Sequence, residues 1–320
     1  MTGVLTVSSY PYISYLPQIA AEHLGFYEQE GLQVEHAYHP DQPLGELLNE
    51  AIVDKPVDVL VGNIWLSLRS WGGPHPLVPI AHCSQQTRWI VVGRREDAGA
   101  SFSWDDLKGR SVVFPCDVPT PWVAFRQVLY DAGVSLSDVR PVIGFSTAKH
   151  TQEEFIGGVG DYLVTDVEVA QMRGFHEVAS IADSVGPIPW SVFVVPSSVA
   201  ASKRDELYAF RRAIGKALGW IAATAAGEIS GVLGHRFPSL PDAARVAIIE
   251  RYKSLGTGEW PETPAFDPAN VANWQDALVR WGLQARSAPL DEVLAFNQAA
   301  IDSGVDTINQ AVGDRRRTIG

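Results

Sequence analysis

The sequence predicts an α/β protein with two lobes and a C-terminal helical segment. Its 320 residues exceed the usual size of a domain with one core, so two lobes are expected. Short β-rich runs alternate with amphipathic helical patterns in two series, one from residue 4 and one after Gly109. From Ser202 onwards the hydrophobic spacing is mostly helical. These three observations favour two similar α/β units followed by helices.

The first strand–helix–strand unit is the clearest. Val4–Val7 is β-rich, and apolar residues between 16 and 24 recur at helical spacing, with Ser14 predicted as the N-cap. Leu32–Tyr38 reads as the second strand. In a parallel unit of this kind, the turn after the first strand lies at the carboxyl edge of the sheet, where α/β proteins bind ligands. Residues 8–12 are therefore predicted to form one wall of a binding site.

The first series continues with a helix at 44–52 and a continuous apolar strand at 57–61, a pattern typical of a buried parallel strand. A glycine-containing turn at 62–65 follows. Two more strands are predicted at 79–82 and 88–93.

The second series predicts strands at 112–114, 139–145 and 161–165, each followed by a polar turn and a helical pattern. A last strand at 190–195 is predicted to return to the first lobe. The C-terminal helices are predicted at 207–221, 243–252, 268–281 and 290–303.

This order of elements predicts the domain boundaries. Residues 1–92 and 193–320 are expected to form lobe 1, and residues 97–188 lobe 2. The chain would cross between the lobes near 92–97 and 186–192. Two such crossings make a hinge on which rigid lobes can close around a ligand.

The composition excludes several partners. Net charge is −12, which argues against nucleic acid or an anionic membrane as the main partner. No run of eighteen apolar residues is present, so no membrane span is predicted. Met1 leads directly into strand-like sequence without a signal peptide. The sequence as it stands therefore predicts a cytoplasmic protein, and a periplasmic or extracellular one if a signal peptide was removed.

A family resemblance begins in the first unit. The segment PQIAAEHLGFY at 17–27, followed by EGLQVE at 30–35, resembles the opening of the alkanesulfonate-binding and thiamine-pyrimidine-synthase superfamily. This resemblance implies a type II periplasmic-binding-protein fold with a ligand cleft between two lobes. The superfamily includes transport receptors, sensors and enzymes. For an exported receptor, it also implies an ABC transporter permease as partner.

The strand-end turns are expected to converge on the cleft. They combine aromatic rings, hydroxyls and amides with few charges, which suits a small ligand with an aromatic or apolar part and a few polar groups. The predicted ligand-binding residues are Ser9, Tyr10, Tyr12, Asn63, Trp65, Gln86, Arg88, Cys116, Asp117, Thr120, Asp166 and Trp190.

Several of these residues have a second interpretation. Arg88 could clamp a carboxylate, sulfonate or phosphate, or be an exposed strand arginine. Asp117 and Asp166 could act as acid or base, or cap helices. Cys116 could be a nucleophile or a small buried side chain, and the sequence leaves open whether it is bridged to Cys83. The histidines lack metal-site spacing, so we predict no metal and no cofactor.

At the catalytic positions of two enzyme families that use this scaffold, the present sequence has other residues. Thiamine-pyrimidine synthases carry a lysine and a histidine where Gly62 and Leu66 stand here, and aromatic sulfinate desulfinases carry a cysteine in the turn that holds Tyr10. The leading hypothesis is reversible binding of a small organic molecule in the interlobe cleft, as in a solute-binding protein. The alternative is a cytosolic lyase, such as a cofactor-free decarboxylase, so enzymatic activity stays open.

Overall fold

The computed structural model describes residues 3–9, 12–38, 57–94, 101–115, 119–140, 143–145 and 148–306. The predicted helix at 44–52 lies outside these ranges, as do Tyr10, Cys116 and Asp117. In chain order the strands are β1 Gly3–Ser9, β2 Leu32–Tyr38, β3 Leu60–Gly62, β4 Leu77–Ser84, β5 Trp89–Gly93, β6 Val112–Pro115, β7 Ile143–Phe145, β8 Tyr162–Asp166, β9 His176–Ser180 and β10 Ser191–Pro196.

The α-helices of the described residues surround these strands. In chain order they are α1 Leu16–His23, α2 Phe26–Gln29, α3 Trp65–Ser70, α4 Pro119–Asp131, α5 Ala148–Ile156, α6 Val167–Arg173, α7 Ile181–Val185, α8 Ser197–Ser202, α9 Arg204–Ala223, α10 Ala226–Leu233, α11 Asp242–Ser254, α12 Pro268–Arg280, α13 Leu290–Val293 and α14 Ala295–Asp302. None of the helices described is both long enough and apolar enough to cross a membrane.

The first group of strands, called the first sheet here, consists of the two-stranded sheet β1–β2 and the three-stranded sheet β3–β10–β4, linked by an isolated bridge. β1 and β2 pair in parallel, and Val7 of β1 makes a parallel bridge to Val59, just before β3. β10 then lies between β3 and β4 and is antiparallel to both. The return of the chain to the first group of strands, predicted for residues 190–195, is thus made by β10.

The second sheet has the strand order β7–β6–β8–β5–β9. β6 is parallel to β7 and β8, whereas β5 is antiparallel to β8 and β9. The carboxyl ends of β6 and β8 therefore face the same edge of this sheet. That edge positions the turn after Asp166 in the candidate site.

The first passage of the chain between the two sheets lies earlier than the sequence predicts. The predicted crossing is at 92–97, but Trp89–Val92 already pair with Leu163–Asp166 of β8 in the second sheet. The passage from β4 to β5 therefore lies at residues 85–88. The return passage from α7 to β10 lies at 186–190. The lobes and the hinge between them stay a prediction.

The start of the first helical segment also differs from the expectation. A 3-10 turn at Ile13–Tyr15 runs directly into α1, so Ser14 lies inside the turn and is not the N-cap of α1. Its hydroxyl instead donates to the Glu259 carboxylate at 2.6 Å. A distant acceptor has replaced the local capping bond that the sequence suggested.

The buried hydrophobic side chains of the described residues form two clusters. The helix Arg204–Ala223 buries a regular apolar face that includes Phe210, which packs edge-on against Phe193 of the first sheet at 5.0 Å between ring centroids. On the other side, Trp190 packs against Trp274 of α12 at 6.0 Å. These contacts pack β10 and Trp190, at the end of the return passage, against the C-terminal helices.

Candidate ligand-binding site

The two passages run side by side. Residues 85–88 lead out of the first sheet and residues 186–190 lead back. The backbone N–H of Ile188 donates to the carbonyl of Gln85 at 2.9 Å, which ties the two segments together. The candidate site lies beside this junction, near the ends of β1 and β8.

Arg88 is the last residue of the first passage, and its side chain is half-buried. Its carbonyl accepts from the backbone N–H of Val167 at 3.1 Å, which holds it beside the start of α6. The guanidinium carbon lies 5.8 Å from the ring centroid of Tyr12, within cation–π range. Within the described part of the chain, this guanidinium makes no hydrogen bond and no ion pair. It is therefore a cation with free donors.

The surroundings of Arg88 keep it charged. Burial alone would lower the pKa of Arg88, but the nearby hydroxyls of Tyr252 and Tyr15 and the carboxyls of Asp166 and Glu168 outweigh burial and raise it. Tyr12 is 46% exposed, so its ring offers accessible surface next to this charge. A cation and an accessible ring thus stand together at the junction.

Glu168 reaches across from the second sheet. Its Oε1 accepts from the backbone N–H of Ile13 at 3.1 Å and from the Tyr252 hydroxyl at 3.2 Å. Burial raises the pKa of Glu168 to about 7, helped by the Asp166 carboxylate and opposed by Arg88 and the two hydrogen bonds. This carboxyl joins the turn after β1, the turn after β8 and helix α11.

Glu259 is a second carboxyl at the junction, with no exposed surface. It accepts from the Ser14 hydroxyl at 2.6 Å, and its backbone carbonyl accepts from the N–H of Gln85 at 2.7 Å. Burial raises its pKa to about 7, against the hydrogen bond from Ser14 and the charge of Arg88. Glu259 thus connects the C-terminal region with the first passage.

Asn63 and Trp65 follow β3, as the sequence analysis predicts. The Asn63 side chain donates to the carbonyl of Trp190 at 2.8 Å and accepts from the N–H of Trp65 at 2.9 Å. Trp65 is half-buried, with the Arg69 guanidinium carbon 4.6 Å from its ring centroid. Asn63 therefore braces the start of α3, and Trp65 keeps part of its ring accessible.

Three predicted site residues have little accessible surface. Gln86 is fully buried, and its side-chain amide makes a 2.8 Å hydrogen bond with the Thr257 hydroxyl. Thr120 is buried in the first turn of α4, and Trp190 is buried against Trp274. In this structure these side chains support the scaffold, because a direct ligand contact needs exposed atoms.

The structure brings Tyr12, Arg88 and Asp166 together, while Asp166 also caps α6 by accepting from the N–H of Val169 at 2.8 Å. The capping interpretation of Asp166 therefore agrees with its geometry. The side chain of Ser9 lies outside the described part, as do Tyr10, Cys116 and Asp117.

Sequence reasoning missed Glu168, Tyr252 and Glu259. Glu168 follows Asp166 by two residues, so the turn after β8 offered a local signal for it. Tyr252 and Glu259 lie far along the chain among predicted helices, and nothing local marks them. No cluster of three or more histidine, cysteine or acidic residues suited to a metal ion occurs among the residues described.

Comparison with known proteins identifies the family. A sequence model described as NMT1/THI5 like matches residues 13–226, which is more than half of the chain. The chain belongs to the NMT1/THI5-like family. This result confirms the superfamily resemblance predicted from residues 17–35.

Individual relatives agree with this assignment. YtlA of Bacillus subtilis, named as a candidate binding protein, is 23% identical over 293 residues, covering 89% of this chain and 84% of YtlA. The periplasmic aliphatic sulphonate binding protein SsuA of Escherichia coli superposes with a TM-score of 0.71 at 13% identity, covering 91% of this chain and 97% of SsuA. The periplasmic nitrate-binding protein NrtA of Synechocystis PCC 6803 gives 0.72 at 13% identity, covering 94% and 89%. These likenesses confirm the periplasmic-binding-protein-like α/β fold.

Proposed function

We propose that this protein reversibly binds a small organic anion in a cleft between two lobes, with Arg88 holding the anionic group. The observation that carries the proposal is the half-buried guanidinium of Arg88, which makes no hydrogen bond or ion pair within the described part of the chain. The surrounding hydroxyls and carboxyls favour the charged form of Arg88, and its donors have no partner among the described residues, so a ligand can use them.

The guanidinium group suits a carboxylate, sulfonate or phosphate. Its planar fork can donate two parallel hydrogen bonds to two oxygens of such a group, and charge-assisted bonds of this kind are the strong ones. The accessible ring of Tyr12 beside Arg88 suits an aromatic or apolar remainder of the ligand. The proposed ligand therefore combines one anionic group with a small apolar or aromatic body.

The relatives support this class of ligand. SsuA and NrtA are named for binding anions, an aliphatic sulphonate and nitrate respectively. By analogy, the proposed lobes are the two groups of strands, with the hinge at the passages 85–88 and 186–190. The proposed setting is outside the cytoplasm, as for the two periplasmic neighbours, with an ABC transporter permease as partner.

The lyase alternative lacks a comparable observation. Of its proposed proton donors, Asp166 uses one carboxylate oxygen to cap α6, and His150 lies on an exposed helix face next to Glu154. Asp117 is outside the described residues. Capping holds Asp166 in place as a structural carboxylate, which favours binding over proton transfer.

The test compares charged and neutral ligands of one shape. Isothermal titration calorimetry would measure benzenesulfonate against neutral benzenesulfonamide, with benzoate and phenyl phosphate as further anions. We expect wild-type protein to prefer the anions. Arg88→Met should weaken anion binding by about 1.5–3 kcal/mol, since hydrogen bonds to charged groups have this strength.

Arg69→Met is the matched control, because Arg69 is an exposed arginine against the ring of Trp65. It should leave the preference for anions intact. Anions that bind no better than the neutral sulfonamide, or equal binding to wild type and Arg88→Met, would contradict the proposed function.

A further inference from the structure

Glu168 places a carboxyl group where a bound anion would meet it. Val167, its neighbour, is hydrogen-bonded to the carbonyl of Arg88, and the Glu168 carboxyl interacts electrostatically with the Arg88 guanidinium without forming an ion pair. The same carboxyl holds the N–H of Ile13 at the start of the first helical segment. An anion bound to Arg88 would therefore lie near a second negative charge, the Glu168 carboxylate, which belongs to the protein.

Both hydrogen bonds to Glu168 use the same oxygen. Ile13 and Tyr252 donate to Oε1, at 3.1 Å and 3.2 Å, and Oε2 makes no hydrogen bond with the described residues. A proton can therefore be added to Oε2 while Oε1 keeps both donors as a carbonyl oxygen. The carboxyl can change its charge without losing the contacts that join the two groups of strands.

The charged and titratable groups facing Glu168 come from five parts of the chain. Asp166 is on the same turn, Arg88 on the passage and Tyr12 in the turn after β1. Tyr252 faces it from α11, and Glu259 from the segment that follows. Arg88 is the one cation of this set, and a ligand anion would neutralise the charge that favours ionised Glu168.

We propose that Glu168 is a proton-linked specificity residue: when an anion binds to Arg88, those molecules in which Glu168 is ionised take up a proton from solvent on Oε2. This proposal rests on the proposed function and adds a regulation to the same site. The bound state then contains the anion, the Arg88 cation and a neutral carboxylic acid. Anion binding is consequently stronger at lower pH.

The electrostatic surroundings support a response near neutral pH. Burial, followed by the charge of Asp166, raises the pKa of Glu168 to about 7, so both of its forms are populated there. A bound anion adds a further negative charge and raises this pKa more. Binding and protonation are linked. The slope of the binding free energy with pH is therefore set by the difference in bound protons between the ligand-bound and free protein.

The experiment uses benzenesulfonate, whose own charge does not change between pH 6 and pH 8. Its dissociation constant would be measured by calorimetry across this range. At pH 7 the measurement would be repeated in two buffers of different ionisation enthalpy, which reveals proton uptake. We expect wild-type affinity to fall by up to about tenfold from pH 6 to pH 8, with uptake of a fraction of a proton at pH 7.

Glu168→Gln keeps a carbonyl oxygen for Ile13 and Tyr252 but cannot titrate. It should reduce the pH dependence to less than about twofold and abolish proton uptake. Glu259→Gln is the matched control, since Glu259 is also buried with a pKa of about 7. Glu259 also interacts with Arg88 and Glu168, so this variant should keep most, but not all, of the wild-type pH dependence and proton uptake, whereas Glu168→Gln should lose them.

The outcomes separate this proposal from the proposed function. Binding without proton uptake, and with equal affinity at pH 6 and pH 8, overturns the proton linkage alone. A pH dependence that disappears in Glu259→Gln and persists in Glu168→Gln also overturns it, because the proton would belong to Glu259. Absence of benzenesulfonate binding at every pH overturns the proposed function, and the linkage with it.

Discussion

Arg211 and Arg88 are both arginines, but their burial and their hydrogen-bond partners differ. Arg211 has no exposed surface, and its guanidinium donates to both oxygens of Asp306 at 2.8 Å and 2.7 Å. It also donates to Asn297 at 2.9 Å and to the carbonyl of Ile80 at 2.7 Å. Arg88 is half-buried and has none of these partners among the described residues.

The difference separates a structural cation from the cation that we propose binds a ligand. A buried charge is tolerated when its partners are present, and removing one partner leaves the other charge uncompensated. The partners of Arg211 lie within the chain, so its role is complete in the folded protein. Arg88 has no such partner among the described residues, which is why we propose that it binds a ligand.

The largest expected effect tests this contrast by folding stability. Arg211→Met should lower the free energy of unfolding by about 3–5 kcal/mol, because it leaves the partly buried Asp306 carboxylate and the buried Asn297 amide without the guanidinium donor. Arg88→Met should lower it by less than about 2 kcal/mol, since Arg88 has electrostatic interactions with Asp166 and Glu168 but no hydrogen bond or ion pair among the described residues. Urea unfolding of the two variants would measure both values. Similar losses in both variants would remove the distinction between the two arginines.

A second prediction extends the comparison to the carboxyl groups. Glu259 has no cation paired with it among the described residues, and burial raises its pKa from 4.5 to about 7. The Asp306 carboxylate, by contrast, pairs with the Arg211 guanidinium. Below pH 4.5 Glu259 holds its proton in both folded and unfolded chains. As the pH rises from about 4.5 to about 7, only the folded chain keeps the proton, so the unfolded state gains stability.

The expected result is therefore a loss of stability with rising pH that Glu259→Gln lacks. With a shift from 4.5 to about 7 at roughly 1.4 kcal/mol per pKa unit, the wild-type loss relative to this variant should be about 3 kcal/mol. Unfolding free energies at pH 4.5, 6 and 7.5 would provide the measurement. A wild-type protein that becomes more stable than the variant as pH rises through this window would contradict the assignment.

The smallest expected effect concerns the loop that supports the passage next to Arg88. Gly256 has a φ of +56°, and a Cβ there would lie 2.9 Å from the side-chain amide of Gln86. Gly256→Ala should cost about 2 kcal/mol, from backbone strain and the close contact. Gly282 has a φ of +74° with nothing within 4 Å of a Cβ, so Gly282→Ala should cost about 1 kcal/mol.

Thermal unfolding of the two alanine variants would measure the difference between them. Equal shifts in Tm would mean that the approach to Gln86 adds nothing to backbone strain. A larger shift for Gly256→Ala would place the loop at 256–258 among the supports of the passage.

Local patterns were sufficient for most elements of the fold. The alternation of strands and helices predicted β1, β2, β6, β8 and β10, because each is a run of apolar or β-branched residues bounded by turn residues. The edge strand β9 was missed. Its residues His176–Ser180 are mostly half-buried and polar, and its antiparallel pairing with β5 has no local signal.

The candidate site was predictable in part for the same reason. Tyr12, Arg88 and Asp166 lie at strand ends, and strand ends can be located from hydrophobic periodicity. The structural use of Gln86 and Trp190 could not be predicted, because their partners at Thr257 and Trp274 come from the C-terminal helical region.

The sequence by itself determined the α/β class, the strand-end turns and the presence of an arginine among them, since these depend on residues close together in the chain. Only the tertiary structure decided that Arg88 has no hydrogen bond or ion pair with the described residues, whereas the Arg211 guanidinium donates four hydrogen bonds. It also decided that Glu168, Tyr252 and Glu259 surround the same junction. Burial and electrostatic pairing depend on which distant segments meet, and one-dimensional patterns carry little information about such contacts.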